Sequence, residues 1–180
     1  MADQKRKAGT ILPETKGLIA KESTFLKGEL GVITKQDYRK GDVLFTVEGP
    51  VQPQRTKYSF AVDLDRHIEP QREDGSSDFG HYLNHSCNPN TVIRIMGKNA
   101  HTPYIEVVAR RNIKGGTELT FDYASLEYEV TINNYPCKCS TAECRKIIHG
   151  FKDLPDHLVE KYEQEGLIPD YLLNIHKNKK

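Results

Sequence analysis

Three of the four cysteines in this chain of 180 residues fall close together, as Cys137-Lys138-Cys139 and Cys144, and the fourth, Cys87, stands well upstream. The C-x-C-x4-C spacing lets three thiolates of one tight loop converge on a metal ion, which leaves one ligand to come from elsewhere. Cys87 is the only cysteine remaining, so a tetrahedral four-thiolate zinc site would use every cysteine and strand none. Such a site ties a distant segment to the late part of the chain and makes metal binding part of folding. The competing readings are two disulfides or free thiols. A Cys-x-Cys bridge is strained, however, and nothing in the sequence marks secretion, so zinc is the expectation.

Cys87 sits in Gly80-His81-Tyr82-Leu83-Asn84-His85-Ser86-Cys87-Asn88-Pro89-Asn90, a stretch dense in asparagine and histidine. Asn-Pro-Asn is ordinary turn chemistry, and on the residues alone a well-capped surface loop is the favoured reading. Downstream lies Gly116-Thr117-Glu118-Leu119-Thr120-Phe121-Asp122-Tyr123, where two aromatics flank an acid. Phe121 and Tyr123 share one face at the strand period of two, as core residues do. The same pair could line a narrow apolar slot with a hydroxyl at one end, and periodicity does not choose between the two. Tyr58, in Tyr58-Ser59-Phe60-Ala61-Val62, is likewise either a packed aromatic or part of such a slot.

These residues need a frame, and most of it reads as β. Gly31–Thr34, Asp42–Val47, Tyr58–Val62, Thr91–Ile95 and Tyr104–Val108 are rich in β-branched and aromatic residues and are expected strands. Arg39–Asp42 and Lys114–Thr117 are glycine-centred turns between them. Gln71–Phe79 is small and polar and reads as an inserted surface loop. One helix is expected near the end, with Pro155 in its first turn, Leu158 and Tyr162 one turn apart, and Gly166 as its stop. Residues from Met1 to about Pro13 read as a loose polar tail.

Composition bounds the rest. Apolar residues make up 37% and charged residues 28%, which fits one globular domain, and the net charge is +1. Binding nucleic acid by bulk charge is disfavoured, because phosphate recognition needs a concentrated basic face. The short basic clusters Lys5-Arg6-Lys7 and Lys177, Lys179, Lys180 read as solvated ends. No run approaches the roughly 20 apolar residues of a membrane span, and the first residues lack a signal-peptide core. The expected location is a reducing intracellular compartment.

Taken in order, Tyr82-Leu83-Asn84-His85-Ser86-Cys87-Asn88-Pro89-Asn90, Glu118-Leu119-Thr120-Phe121-Asp122-Tyr123 and Cys137-x-Cys139-x4-Cys144 resemble the SET-domain protein-lysine methyltransferases, whose trailing cysteine segment is called post-SET. The resemblance covers about residues 17 to 151. It implies a mostly β fold of small curled sheets in which the Asn-His-Ser-Cys stretch is threaded as a pseudoknot, a rare arrangement among folds. The implied division is a tail over 1–16, a catalytic SET domain over 17–130, a post-SET zinc segment over 131–151 and a helical extension over 152–180. The resemblance also places Cys87, Cys137, Cys139 and Cys144 around zinc.

S-adenosylmethionine contacts carried over by motif fall on Asn84, His85 and Tyr82, with Phe151 closing over the site. The family's early Gly-x-Gly is altered here: Gly31 matches its second glycine, but Glu29 stands at the first, so Glu29, Leu30 and Gly31 would serve through backbone. His81 is a second departure, where relatives often carry arginine. The catalytic tyrosine falls on Tyr123, the position governing methyl number on Phe121, and a second channel tyrosine on Tyr58. The implied activity is di- or trimethylation of a protein lysine, with a histone tail among the candidate acceptors and a nuclear location in that case. A non-histone protein or small amine as acceptor, and a non-catalytic zinc-bearing module, are the alternatives. The number of subunits is left open.

Overall fold

The computed structural model describes residues 12–97, 102–130 and 135–178. Along the chain run strands β1 (Leu18–Glu22), β2 (Leu30–Thr34), β3 (Val43–Val47), β4 (Val51–Gln52), β5 (Phe60–Asp63) and β6 (Arg66–Ile68). They are followed by β7 (Asn84–His85), β8 (Thr91–Met96), β9 (Tyr104–Ala109), β10 (Thr120–Phe121), β11 (Tyr135–Pro136) and β12 (Ile147–Ile148), then by helices α1 (Asp156–Gln164) and α2 (Asp170–Asn178). The protein is thus mostly β, built from small sheets. None of its described helices is long and apolar enough to cross a membrane.

Each sheet is short. β1 and β2 form an antiparallel hairpin, β3-β9-β8 and β4-β6-β5 are three-stranded, and β11 pairs antiparallel with β12. β8 shows why its sequence chooses a strand: Thr91, Ile93 and Ile95 are buried while Arg94 between them is exposed. Leu18, Val32, Val47, Ile68, Ile105, Val107 and Leu119 meet in one core, each 2% exposed or less. Burial of that kind contributes roughly 1.5–3 kcal/mol per large side chain before conformational entropy is counted.

The last sheet is a parallel pair of two residues, with Asn84 opposite Thr120 and Phe121 opposite His85. Side chains brace it. Asn90 donates from Nδ2 to the Glu118 carbonyl at 2.7 Å and accepts at Oδ1 from the Thr120 amide at 2.8 Å, and Thr91 Oγ1 donates to the Thr120 carbonyl at 2.9 Å. Ser86, Asn90 and Thr91 are all buried. The asparagine-rich stretch is therefore internal scaffolding and not the surface loop favoured by its composition. Its polar groups replace ladder bonds that a two-residue strand cannot supply, as buried polar groups must be satisfied.

Other expectations shift in detail. The Tyr58 strand begins only at Phe60. Gln71–Phe79 is a small hairpin, bridged at Gln71 and Ser77 and turned at Gly75 with φ 81°, and Phe79 at its end is 4% exposed. α1 stops at Gly166 as anticipated, with φ 65° and the Gly166 amide donating to the Glu163 carbonyl at 3.0 Å. Pro155 precedes the helix at its cap. A second helix follows the break at Gly166, and the Pro169 carbonyl ahead of it accepts from the Leu172 and Leu173 amides at 3.1 and 3.3 Å. Both helices enclose a second core of Ala124, Phe151, Leu154, Val159, Tyr162, Leu167, Ile168 and Leu172. Of the expected tail, residues 1–11 lie outside the described set, as do Lys5, Arg6, Lys7, Lys179 and Lys180. Pro13 is tied to the body, its carbonyl accepting from Ala20 at 2.9 Å, and Lys177 pairs with Glu163 at 2.8 Å.

Among the described residues, two non-glycine residues have positive φ, Ser140 at 56° and Lys146 at 69°, and both flank the late cysteines. That conformation is costly for any residue with a Cβ. Ser140→Gly is expected to raise the thermal midpoint by about 1–3 °C, equivalent to roughly 0.5–1 kcal/mol. A midpoint equal to or below the parent's in calorimetry contradicts a strained loop at this position.

Candidate active site

The parallel pair sets His85 against the segment that leads into Tyr123. The Tyr123 amide donates to His85 Nδ1 at 3.3 Å, and the two rings meet edge-on with centroids 5.1 Å apart. An Nδ1 that accepts leaves the proton on Nε2, which faces Cys87 Sγ at 3.4 Å. Burial lowers the His85 pKa to about 4, with the nearby Asp122 charge raising it and Arg145 lowering it. The imidazole is therefore neutral, and its 3.6 Å approach to Asp122 is not an ion pair.

Tyr123 opens a 3-10 turn over Tyr123–Ser125, and its hydroxyl donates to the Leu83 carbonyl at 3.3 Å. Burial raises its pKa well above the usual phenol value, and the charges of Tyr58 and Glu29 add to the effect. The side chain is thus a neutral hydrogen-bond donor and not a phenolate. Phe121 lies beside it, centroids 4.9 Å apart, and Phe60 stacks on Phe121 at 5.5 Å. Tyr58 stacks on His81, centroids 3.7 Å apart and planes 23° from parallel. His81 thus has a ring partner among the candidate site residues.

Glu118 is the residue that sequence reasoning missed. Its carboxylate accepts from Ser23 Oγ at 2.9 and 3.0 Å, the Thr24 amide at 2.6 Å, Thr24 Oγ1 at 2.7 Å and Asn84 Nδ2 at 2.8 Å. Asn84 Nδ2 also donates to the Leu30 carbonyl at 2.9 Å. The loop between β1 and β2, the start of β2 and β7 are thereby drawn to one carboxylate. Gly31 is required there, because a Cβ would run into the Glu118 carboxylate. Within the Glu-Leu-Thr-Phe-Asp-Tyr run, the one available signal was an acid spaced evenly from Thr120 and Asp122, all three of them buried.

The four cysteines come together. Their sulfurs lie within 4.8 Å of one another, and Cys87 is 3.7 Å from Cys137. Four sulfurs tetrahedrally placed at zinc–sulfur distance stand about 3.8 Å apart. Backbone amides aim at the sulfurs as they do around metal thiolates: Arg145 donates to Cys87 at 3.4 Å and Lys146 to Cys144 at 3.4 Å. Without a metal, burial pushes the Cys87 thiol up to about 11 and Cys137 up as well. Burial also acts against ionisation of Cys139, but hydrogen bonds, that of Thr141 foremost, outweigh it and lower this thiol to about 6. The donor set and its spacing fit a four-thiolate zinc ion.

The remaining predicted residues spread around this centre. Tyr82 ends the 3-10 turn Phe79–Tyr82, its ring 5.3 Å from His81. Glu29 is exposed, and its backbone holds the β1–β2 loop closed, its carbonyl accepting from Ser23 at 2.9 Å. Phe151 is 3% exposed in the second core, where its amide donates to the Glu127 carbonyl at 2.8 Å and its ring meets His176 edge-on. Glu127 itself is a buried carboxyl raised to about 7 by burial, with the Ala61 amide donating to it at 3.0 Å.

Comparison with known proteins follows the same lines. A protein-family model for the SET domain matches residues 2–124, starting earlier than the motif resemblance and stopping short of the late cysteines. The histone-lysine N-methyltransferase trr of Drosophila melanogaster is 36% identical over 89 residues, 49% of this chain and 4% of that protein. Su(var)3-9, a histone-lysine N-methyltransferase of Drosophila pseudoobscura pseudoobscura, is 31% identical over 104 residues, 51% of this chain and 16% of that protein. An H3 lysine-4 specific histone-lysine N-methyltransferase of Schizosaccharomyces pombe is 27% identical over 134 residues, 64% of this chain and 14% of that protein. The chain therefore spans only a small part of the length of these relatives. With well over half of its residues under the family model, and the Asn84-His85 strand paired beside the strand leading to Tyr123, the chain belongs to the SET-domain family.

Proposed function

We propose that the chain is an S-adenosylmethionine-dependent protein-lysine N-methyltransferase. The observation that carries this reading is the Tyr123 hydroxyl, neutral and oriented by the Leu83 carbonyl, with Phe121 and Phe60 lining one side and the Asn84-His85 strand the other. The names of the matched relatives support a lysine acceptor and make a histone tail the first protein to test, with a nuclear location in that case. The working division is a catalytic domain over 17–130, a zinc segment over 131–151 and a helical extension over 152–180.

S-adenosylmethionine supplies an electrophilic methyl group when bound. Glu29–Gly31, Tyr82, Asn84, His85 and Phe151 are the residues assigned to hold it. Both amide hydrogens of Asn84 are spent on Leu30 and Glu118, so its Oδ1 and the main chain are what a cofactor would meet. Cys87, Cys137, Cys139 and Cys144 would hold zinc in a structural role, without a part in the transfer itself.

A substrate lysine is almost wholly protonated near neutral pH, and exposing its lone pair costs roughly 4 kcal/mol at three pKa units. Aromatic walls of Phe60, Phe121, Tyr123 and Tyr58 would desolvate the ammonium and lower its pKa. Because Tyr123 stays protonated, it does not act as a base. Its part is to place a neutral hydroxyl at the reacting atoms, a positioning and electrostatic role. At Phe121 no hydroxyl is available to bind water or the amine, which leaves room for a nitrogen that already carries methyl groups and favours di- or trimethylation.

Labelled-methyl transfer onto core histones and a whole-cell extract, with mass spectrometry of the product, tests the assignment and identifies the acceptor. Tyr123→Phe is expected to bind S-adenosylmethionine normally in calorimetry while losing roughly 100-fold or more in turnover. Near-parental turnover removes Tyr123 from the chemistry, and absence of cofactor binding in the parent makes the chain a non-catalytic module. Phe121→Tyr is expected to shift products toward monomethyl-lysine; unchanged product ratios contradict the assignment of methyl number to this position. Elemental analysis should find zinc, and chelation or Cys87→Ser should lower both the thermal midpoint and turnover. A chelated protein that keeps its midpoint would remove the metal from the fold.

A further inference from the structure

Asp122 lies between β10 and the Tyr123 turn and is 1% exposed. Its carboxylate accepts from Arg145 Nη1 and Nη2, each at 2.7 Å, from the Tyr162 hydroxyl at 2.7 Å and from the Ala124 amide at 3.0 Å. Each donor comes from a different place. Ala124 belongs to the turn that Tyr123 opens, and Arg145 to the cysteine loop, where its own amide donates to Cys87. Tyr162 projects from α1, beyond the matched family region, and is 3% exposed.

A buried carboxylate is tolerated only when paired and hydrogen-bonded, and an Arg that reaches it with two parallel bonds fixes direction as well as charge. Burial works against ionisation of Asp122, but the Arg145 hydrogen bonds and the neighbouring charges hold its pKa below the ordinary carboxylate value. Three chain segments therefore converge on this one carboxylate. Removing one of them leaves the other two less constrained.

We propose that Tyr162 is a positioning residue: through Asp122, α1 holds the Tyr123 turn and the cysteine loop in one geometry, which makes the helical extension part of the active-site scaffold. Its link to catalysis rests on the methyltransferase reading above, whereas its structural half does not.

The test compares Tyr162→Phe, which keeps the ring and loses the hydroxyl, with Leu173→Ala, which weakens packing of the same second core from α2. Hydrogen exchange of the full chain is followed at residues 120–127 and 136–148. Tyr162→Phe should accelerate exchange in both segments, and Leu173→Ala only within the helices. Turnover on core histones should fall roughly tenfold in Tyr162→Phe with KM for the histone acceptor unchanged. Arg145→Lys acts on the same carboxylate, so combining it with Tyr162→Phe should add little beyond the worse single variant. Unchanged exchange at 120–127 in Tyr162→Phe, equal acceleration in the Leu173 variant, or full additivity with Arg145→Lys overturns the proposal. If the parent transfers no methyl group yet the exchange pattern holds, the enzyme reading fails and the coupling of α1 to the turn stands.

Discussion

Two residues of parallel strand pairing, Asn84-His85 beside Thr120-Phe121, determine what the rest of the molecule can do. So short a ladder has little stability of its own. It persists because neighbouring groups take over the missing bonds: the buried side chains of Asn90 and Thr91 bind the backbone of Glu118 and Thr120, and the Ser86 amide donates to the Phe121 carbonyl at 3.0 Å. Beyond each end of the pair a stronger tie follows. The Glu118 carboxylate gathers the β1–β2 loop on one side, and the cysteine cluster with Asp122 secures the other.

Charge is distributed to match. The groups nearest the candidate transfer point, Tyr123 and His85, are kept neutral by burial. Asp122 and Arg145 pair with each other, with Tyr162 bonded to the same carboxylate, and Glu118 is taken up by Ser23, Thr24 and Asn84. This separation suits a reaction in which a neutral amine must be exposed beside a positive cofactor, since a loose carboxylate near the amine would stabilise the ammonium instead. Thr34, Asn90, Thr91 and Ser125 are buried with their side chains donating to main-chain carbonyls, bonds that a wider sheet would have made through its ladder.

The sequence revealed what depends on local chemistry. Thr91–Met96 and Tyr104–Ala109 are strands because their own residues are β-branched and alternate, and α1 ends at Gly166 because only glycine accepts that φ easily. The gathering of four cysteines was foreseeable from spacing and number. Long-range pairing left less trace. β7 and β10 are too short to carry a period, and Glu118 looks like an ordinary acid until Ser23 and Thr24 are folded onto it. Read locally, Asn88-Pro89-Asn90 is turn chemistry, and only the burial of Asn90 against Glu118 and Thr120 shows it to be interior. α2 follows only four residues after Gly166, and the expectation of one terminal helix did not separate it from α1.

The central claim is that the Asn84-His85 strand and Tyr123 face one common space. A crystal structure of the chain with S-adenosylhomocysteine and a lysine peptide measures this directly. The expected result has the cofactor product against the main chain of residues 29–31 and 84–85, with its sulfur and the lysine nitrogen converging on the Tyr123 hydroxyl. A product bound elsewhere, or a lysine entering away from Phe121 and Tyr123, contradicts the account.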